Sequence, residues 1–275
     1  MALALGAGLG WGASDFLGGL KSRSRPLPSV LLISQATALV LLAIVTVVRG
    51  VGPPDVAFLA QAVIAGLGET VGIAALYRGL AVGTMSIVAP VAALAPVIPL
   101  IAGLAAGQAP GARQGAGLML ATLGLIIASR GPAIGAGNRP WASILYGLLA
   151  ALGFGAFFLT MASAGLADTG WALLTARLTT VLVITSVIVL TRHRVAVRRN
   201  DLPVLAVIGV LIVAADAQYA WASMLGPVSV AAVLGSLHTV VTIMLARIVL
   251  KERLTRSQAI GIGVVLAGVL TLSLA

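Results

Sequence analysis

The sequence predicts an all-α membrane protein: ten transmembrane helices, arranged as two inverted five-helix repeats around a central cavity. Three observations predict it. The 275 residues are 60% hydrophobic and only 9% charged, where an ordinary globular domain is roughly a quarter charged. The apolar residues fall into ten runs, each near the ~20 residues a helix needs to cross the hydrocarbon layer. The second half of the chain repeats the first. This composition excludes a soluble enzyme, a disordered chain and a nucleic-acid reader. With no cysteine, it also excludes disulfides, thiolate metal sites and a cysteine nucleophile.

The ten runs are 2–20, 29–48, 56–82, 85–106, 114–129, 142–166, 170–190, 202–224, 228–250 and 257–274. Charge and turn chemistry separate most of them, as in Lys21-Ser22-Arg23-Ser24-Arg25-Pro26 and in Gly50-Val51-Gly52-Pro53-Pro54-Asp55. Residues 81–84 and Leu225-Gly226-Pro227 are weaker breaks. Each is expected to be a tight turn, because the runs it joins are together too long for one helix. Orientation follows from the basic residues. Thirteen of the 17 lie in the first, fifth, seventh and ninth connections or at their edges, and only Arg49 and Arg113 on the opposite side. Basic loops stay in the cytoplasm, so the odd connections are expected inside and both termini outside the cytoplasmic (inner) membrane. These basic runs serve topology and bind anionic headgroups; no nucleic-acid partner is expected.

The repeat is seen in paired landmarks. Gly10-Trp11-Gly12-Ala13 recurs as Gly153-Phe154-Gly155-Ala156, Asp55 as Asp201, and Glu69 as Asp216. Arg113, Gln114, Gly117 and Gly124 find counterparts in Arg256, Gln258, Gly261 and Gly268. The order is kept at a spacing of about 143 to 147 positions. The expected units are residues 1–133 and 141–275, joined by a cytoplasmic linker at 134–140. An odd number of spans per unit turns the second upside down relative to the first. That is the architecture of secondary transporters, which bind substrate near the midplane between the halves.

These residues resemble the EamA branch of the drug/metabolite transporter superfamily. The resemblance is carried by Trp11-Gly12-Ala13-Ser14-Asp15-Phe16, by the proline-interrupted fourth run, and by Leu250-Lys251-Glu252-Arg253-Leu254-Thr255 leading to Gln258 and Gly261. Gln108 stands where the first repeat would carry the matching glutamate, and Lys251 replaces the glycine before Glu252. The resemblance implies export of a small metabolite or amino acid across the cytoplasmic membrane.

Ionisable residues within spans are costly, about 2.5–3.5 kcal/mol each near a helix centre, and so are candidates for function. Glu69 lies near the midplane of the third span with no Lys or Arg within a helical turn. It must face water, pair across helices or stay protonated. Arg177 and Asp216 stand at one depth and are expected to form a gate or an ion pair. Asp15 lies near the cytoplasmic end of the first span, and His238, which titrates near neutral pH, within the ninth. Glu69 and His238 are the candidates for proton coupling. Pro90, Pro96 and Pro99 should break the fourth span, and Gly235-Ser236-Leu237-His238 weakens the matching place in the ninth; interrupted helices at such places mark transporter sites. Trp11, Tyr77, Phe154, Tyr219 and Trp221 could clasp an organic solute through stacking or cation–π contacts.

The cavity is therefore expected to be lined by spans one, three, four, six, eight and nine. Its candidate residues are Trp11, Asp15, Glu69, Tyr77, Pro90, Pro96, Phe154, Tyr219, Trp221 and His238. No metal and no cofactor are expected, and the absence of a Gly-x-x-x-x-Gly-Lys loop excludes an ATP-driven pump. The expected partners are a small-molecule substrate and the lipid bilayer, with the chain a monomer or weak homo-oligomer. The expected activity is secondary transport of small organic metabolites by alternating access, proton-coupled or facilitated. Three rivals stand beside it. A multidrug exporter would use Glu69 as counter-ion to cations. An intramembrane enzyme would need the catalytic constellation that scattered Asp15, Glu69, Asp216 and His238 lack. A non-transporting assembly subunit would have a dry, packed centre.

Overall fold

A computed structural model describes residues 1–22, 24–82, 88, 91–107, 110–128, 140–250 and 255–273. The described elements are helices: α1 (Ala2–Ser22), α2 (Leu27–Arg49), α3 (Val56–Val82), α4 (Val97–Ala105), α5 (Ala112–Ala128), α6 (Pro140–Gly165), α7 (Thr169–Leu190), α8 (Leu202–Leu225), α9 (Val228–Gly235), α10 (His238–Leu250) and α11 (Arg256–Ser273). A single 3-10 turn, Arg199–Asp201, precedes α8. Among the described residues, five helices are long and apolar enough to cross a membrane: Leu27–Arg49, Val56–Leu76, Trp141–Gly165, Thr169–Leu190 and Arg199–Leu225.

Local chemistry sets the helix ends. Pro28 stands in the first turn of α2, where its missing N–H costs nothing. Gly50 ends that helix in the left-handed region at φ 62°, returning its N–H to the Val47 carbonyl. Asp168 caps α7 by accepting from the Trp171 N–H at 2.9 Å. The ninth span is broken where its sequence is weakest, α9 ending at Gly235 and α10 starting at His238. In the fourth run a turn over residues 93–96 precedes α4, which Pro96 opens. Pro90, the turn expected around residues 83–84, Gln108, Lys251 to Leu254 and most of the 134–140 linker lie outside the described residues.

Packing follows the repeat. α1 lies along α8 as α6 lies along α3, and α2 packs on α7, and α5 on α11. Water gives no drive for helix association within a bilayer, so small residues that admit close contact matter. A Cβ at Gly261 would overlap the Ala128 backbone and one at Gly268 the Ala121 backbone, which ties α11 to α5. The end of α2 meets the start of α7 through Arg49 and Asp168, and the start of α2 meets the segment after α7 through Ser29 and Ala196. These counterpart helices therefore run antiparallel, and the repeats are inverted.

Candidate functional site

Two helices of each repeat send one polar side chain to the buried centre: Gln35 from α2, Glu69 from α3, Arg177 from α7 and Asp216 from α8. All are at most 8% exposed. Arg177 joins them. Its Nη1 donates to Glu69 Oε1 at 3.0 Å and to Gln35 Oε1, and its Nη2 donates to Asp216 Oδ2. Asp216 Oδ1 accepts in addition from Trp11 Nε1 of α1 at 2.8 Å. A buried charge persists only when paired and hydrogen-bonded, and the guanidinium has the donors to serve several partners at once. Two atoms of the cluster, Glu69 Oε2 and Arg177 Nε, are buried with no hydrogen-bond partner among the described residues.

The arrangement obeys the internal repeat. Gln35 and Arg177 are 142 positions apart, and Glu69 and Asp216 are 147. Gln35 and Arg177 are counterparts bonded to each other, so the axis relating the repeats passes between them, with one acid from each repeat at its flanks. Asp15 lies further along α1, its Oδ2 2.8 Å from His238 Nδ1 at the start of α10. Their side chains are 43% and 26% exposed. Trp11 connects the two groups, bonding Asp216 and meeting the His238 ring edge-on at 6.4 Å. A cavity of about 40 Å³ runs from Ser22 and Leu27 past Asp15 to Gln35 and Ile73.

Both ends of the α2–α7 pair are fastened across the repeats. At one end Arg49 grips Asp168 at two points, 2.9 and 2.6 Å, and Trp171 Nε1 donates to the Val51 carbonyl at 2.9 Å. The Arg49 guanidinium holds the Asp168 carboxyl below the usual carboxylate range, with the backbone N–H of Trp171 acting in the same sense against partial burial. At the other end Asp201 accepts from Lys21 Nζ at 2.9 Å and from Arg25 Nε at 2.7 Å. There the Ala196 N–H also donates to Ser29 Oγ at 3.1 Å.

The structure brings Trp11, Glu69, Arg177 and Asp216 together, and Asp15 and His238 beside them. The small cavity beside them is lined from α1, α2, α3 and α8, and its volume suits water. Next to it lies an aromatic core. Trp11, Phe157, Phe158 and Tyr219 stack against one another with centroids 5.1–6.0 Å apart. Tyr219 is wholly buried and donates its hydroxyl to the Phe158 carbonyl at 2.6 Å. Phe154 packs against this core, and Pro96 is buried at the start of α4. Trp221 is 51% exposed, away from the centre. Pro90 and the side chain of Tyr77 lie outside the described residues. Gln35, Asp168 and the partners of Asp201 escaped the sequence argument; the 142-position spacing to Arg177 was the signal for Gln35.

Paired repeats of apolar helices that meet on a buried charged cluster define a multi-pass membrane protein of transporter architecture. The family model of the EamA-like transporter family matches twice, over residues 1–130 and 141–274. The chain belongs to that family, and is a membrane transporter of small molecules. No curated protein matches it. A solved structure titled "Crystal structure of protein" is similar in fold, with a TM-score of 0.82 at 15% identity over 99% of this chain and 96% of that one.

Proposed function

We propose that the protein exports small organic metabolites, amino acids or related compounds, across the cytoplasmic membrane by alternating access. Its ten spans would place both termini outside. The observation that carries this reading is the Gln35–Glu69–Arg177–Asp216 cluster on the axis between the repeats. Charge in a membrane interior is expensive, and here it is spent where two halves must move against each other. The fastened ends of the α2–α7 pair supply the gates: Arg49–Asp168 outside, Lys21 and Arg25 with Asp201 inside. Releasing one while keeping the other opens the centre to one side. With both gates shut the centre is closed to either side. Proton coupling runs through Glu69 or through His238, whose pair with Asp15 borders the small cavity. A flux assay in liposomes tests the reading, with amino acids, polyamines, sugars and lipophilic cations offered with and without a pH gradient. Protein-dependent flux of at least one class is expected. Flux of none would refute transport of these classes and return the assembly-subunit alternative.

A further inference from the structure

The connection from α7 to α8 carries Arg192, Arg194, Arg198 and Arg199, all exposed and none with an acidic partner among the described residues. The acid that follows them, Asp201, is already taken by Lys21 and Arg25. Arg192 ends α7 in the left-handed region at φ 51°, its N–H bonded to the Val189 carbonyl and that of His193 to the Ile188 carbonyl. Glycine takes such a position without strain, yet the chain keeps an arginine there. The segment is also anchored. The Ala196 N–H donates to Ser29 Oγ at 3.1 Å, and Val197 packs on Val30, Leu205 and Ile208, as Ile33 of α2 does. Four unmatched guanidinium groups are thus held at one end of the seam between α2 and α8.

Further along the same seam lies an open apolar groove of about 450 Å³, lined by Ile33, Ala36, Val40 and Ile44 of α2 and by Val210 of α8, among others. Its shape follows from residue size. Gly209 brings α8 hard against α2, where a Cβ would stand 2.5 Å from the Ser34 carbonyl oxygen. Ala36 is small, while Val40, Ile44 and Val210 stand exposed at its sides. Ile33, at the near end, is one helical turn from Ser29, to which the arginine segment is tied. From Ile33 to Ile44 the groove runs about 16 Å, roughly half of the ~30 Å hydrocarbon thickness. That is the reach of one acyl chain.

We propose that this seam is a binding site for one anionic phospholipid of the bilayer, its phosphate among Arg192, Arg194, Arg198 and Arg199 and an acyl chain in the α2–α8 groove. Basic loops attract anionic headgroups in general. Here the arginines are fixed at the mouth of a groove that takes a chain, so charge and shape select the same molecule. The glycerol and the first methylenes span the turn between Ser29 and Ile33. A second copy of this chain fits the groove less well. Seated about a two-fold axis along the membrane normal, it would bring two arginine segments face to face at one level, where like charges repel. The lipid takes its chain contacts largely from the first repeat and its charge contacts from the second, so it joins the repeats beside the Asp201 clasp. The inference needs only the membrane-spanning fold and is independent of the transport reading.

The test uses purified full-length protein in detergent, titrated with dioleoyl-phosphatidylglycerol, with dioleoyl-phosphatidylcholine and with glycerophosphate. Native mass spectrometry counts the molecules retained per chain. One phosphatidylglycerol is expected to bind more than about tenfold tighter than phosphatidylcholine, since each arginine near the headgroup is worth about fivefold. Glycerophosphate should not displace it. Arg198→Gln with Arg199→Gln is expected to weaken phosphatidylglycerol by roughly 25-fold and to leave phosphatidylcholine unchanged. Ala36→Leu, which fills the groove, should weaken phosphatidylglycerol several-fold with every arginine in place. Equal binding of the two lipids by the unaltered protein overturns the inference, whether or not any variant folds. Displacement by glycerophosphate as effective as by the lipid overturns it in favour of a free-phosphate site. Phosphatidylglycerol binding that survives Ala36→Leu overturns the chain site, and a dimer that Ala36→Leu abolishes assigns the groove to a second copy instead.

Discussion

Two arginines do similar chemistry in different solvents. Arg177 sits at the middle of the α2–α7 pair, 2% exposed, with two carboxylates and an amide around it. Arg49 sits at one end of the same pair, 38% exposed, with one carboxylate in a two-point grip. The second has the better geometry, yet the first is the harder to break. Water and salt can replace the partner of an exposed ion and so reduce its worth to about 0–1 kcal/mol, but nothing replaces the partner of a buried one. The pair is thus riveted at its centre and clasped at its ends, which is what the proposed alternating access would require.

The largest effect should come from breaking the rivet. Arg177→Met leaves two buried carboxylates without their cation, and a loss of about 3–5 kcal/mol is expected. Thermal unfolding in detergent measures it, and restoring charge balance with Glu69→Gln and Asp216→Asn in the same chain should recover part of the loss. A smaller effect is expected for Trp11→Phe, which gives the first repeat the ring that the second carries at Phe154. It removes the donor to Asp216 Oδ1, with a cost of about 1–3 kcal/mol for a buried acceptor left unmet. If Trp11→Phe unfolds at the same temperature as the parent, the contrast between the Trp11 and Phe154 halves carries no energy.

Much of the fold was legible because the bilayer imposes a length. The run at 170–190 is the helix Thr169–Leu190, and the weak stretch around Gly235 is the break between α9 and α10. The acids of the centre were legible too, since Glu69 and Asp216 are costly in an apolar span and match across the repeat. Gln35 was not: an amide carries no charge to mark it, and beyond the 142-position spacing to Arg177 only the bond between them shows its place. Lys21 and Arg25 read as topology signals and Asp201 as an echo of Asp55. That the three meet depends on how the first and seventh connections fold together, which no local pattern records. Trp11 read as a ring for stacking, while its role in the centre is carried by its N–H. The size of the cavity was also beyond pattern, because it is set by how Phe157, Phe158 and Tyr219 interlock.

The clasps permit the finest test, and the absence of cysteine from the chain makes single-cysteine labelling clean. Asp201→Asn removes the charge that holds both Lys21 and Arg25 and should speed labelling of a cysteine placed at Ser14, which lines the small cavity. It should move the unfolding temperature little. Asp168→Asn should leave Ser14 labelling unchanged and act only at the opposite end, where it also weakens the cap of α7. Unchanged labelling in both variants would mean that the clasps are not gates. The smallest effect is one of pH. Arg49 holds Asp168 below the usual carboxylate range, so this clasp is intact at neutral pH and above. It is lost as pH falls through that lowered value, below the ordinary aspartate value of about 3.9. Labelling at the Asp168 end should therefore rise only in strong acid. A rise already at pH 6 would assign the opening to another group.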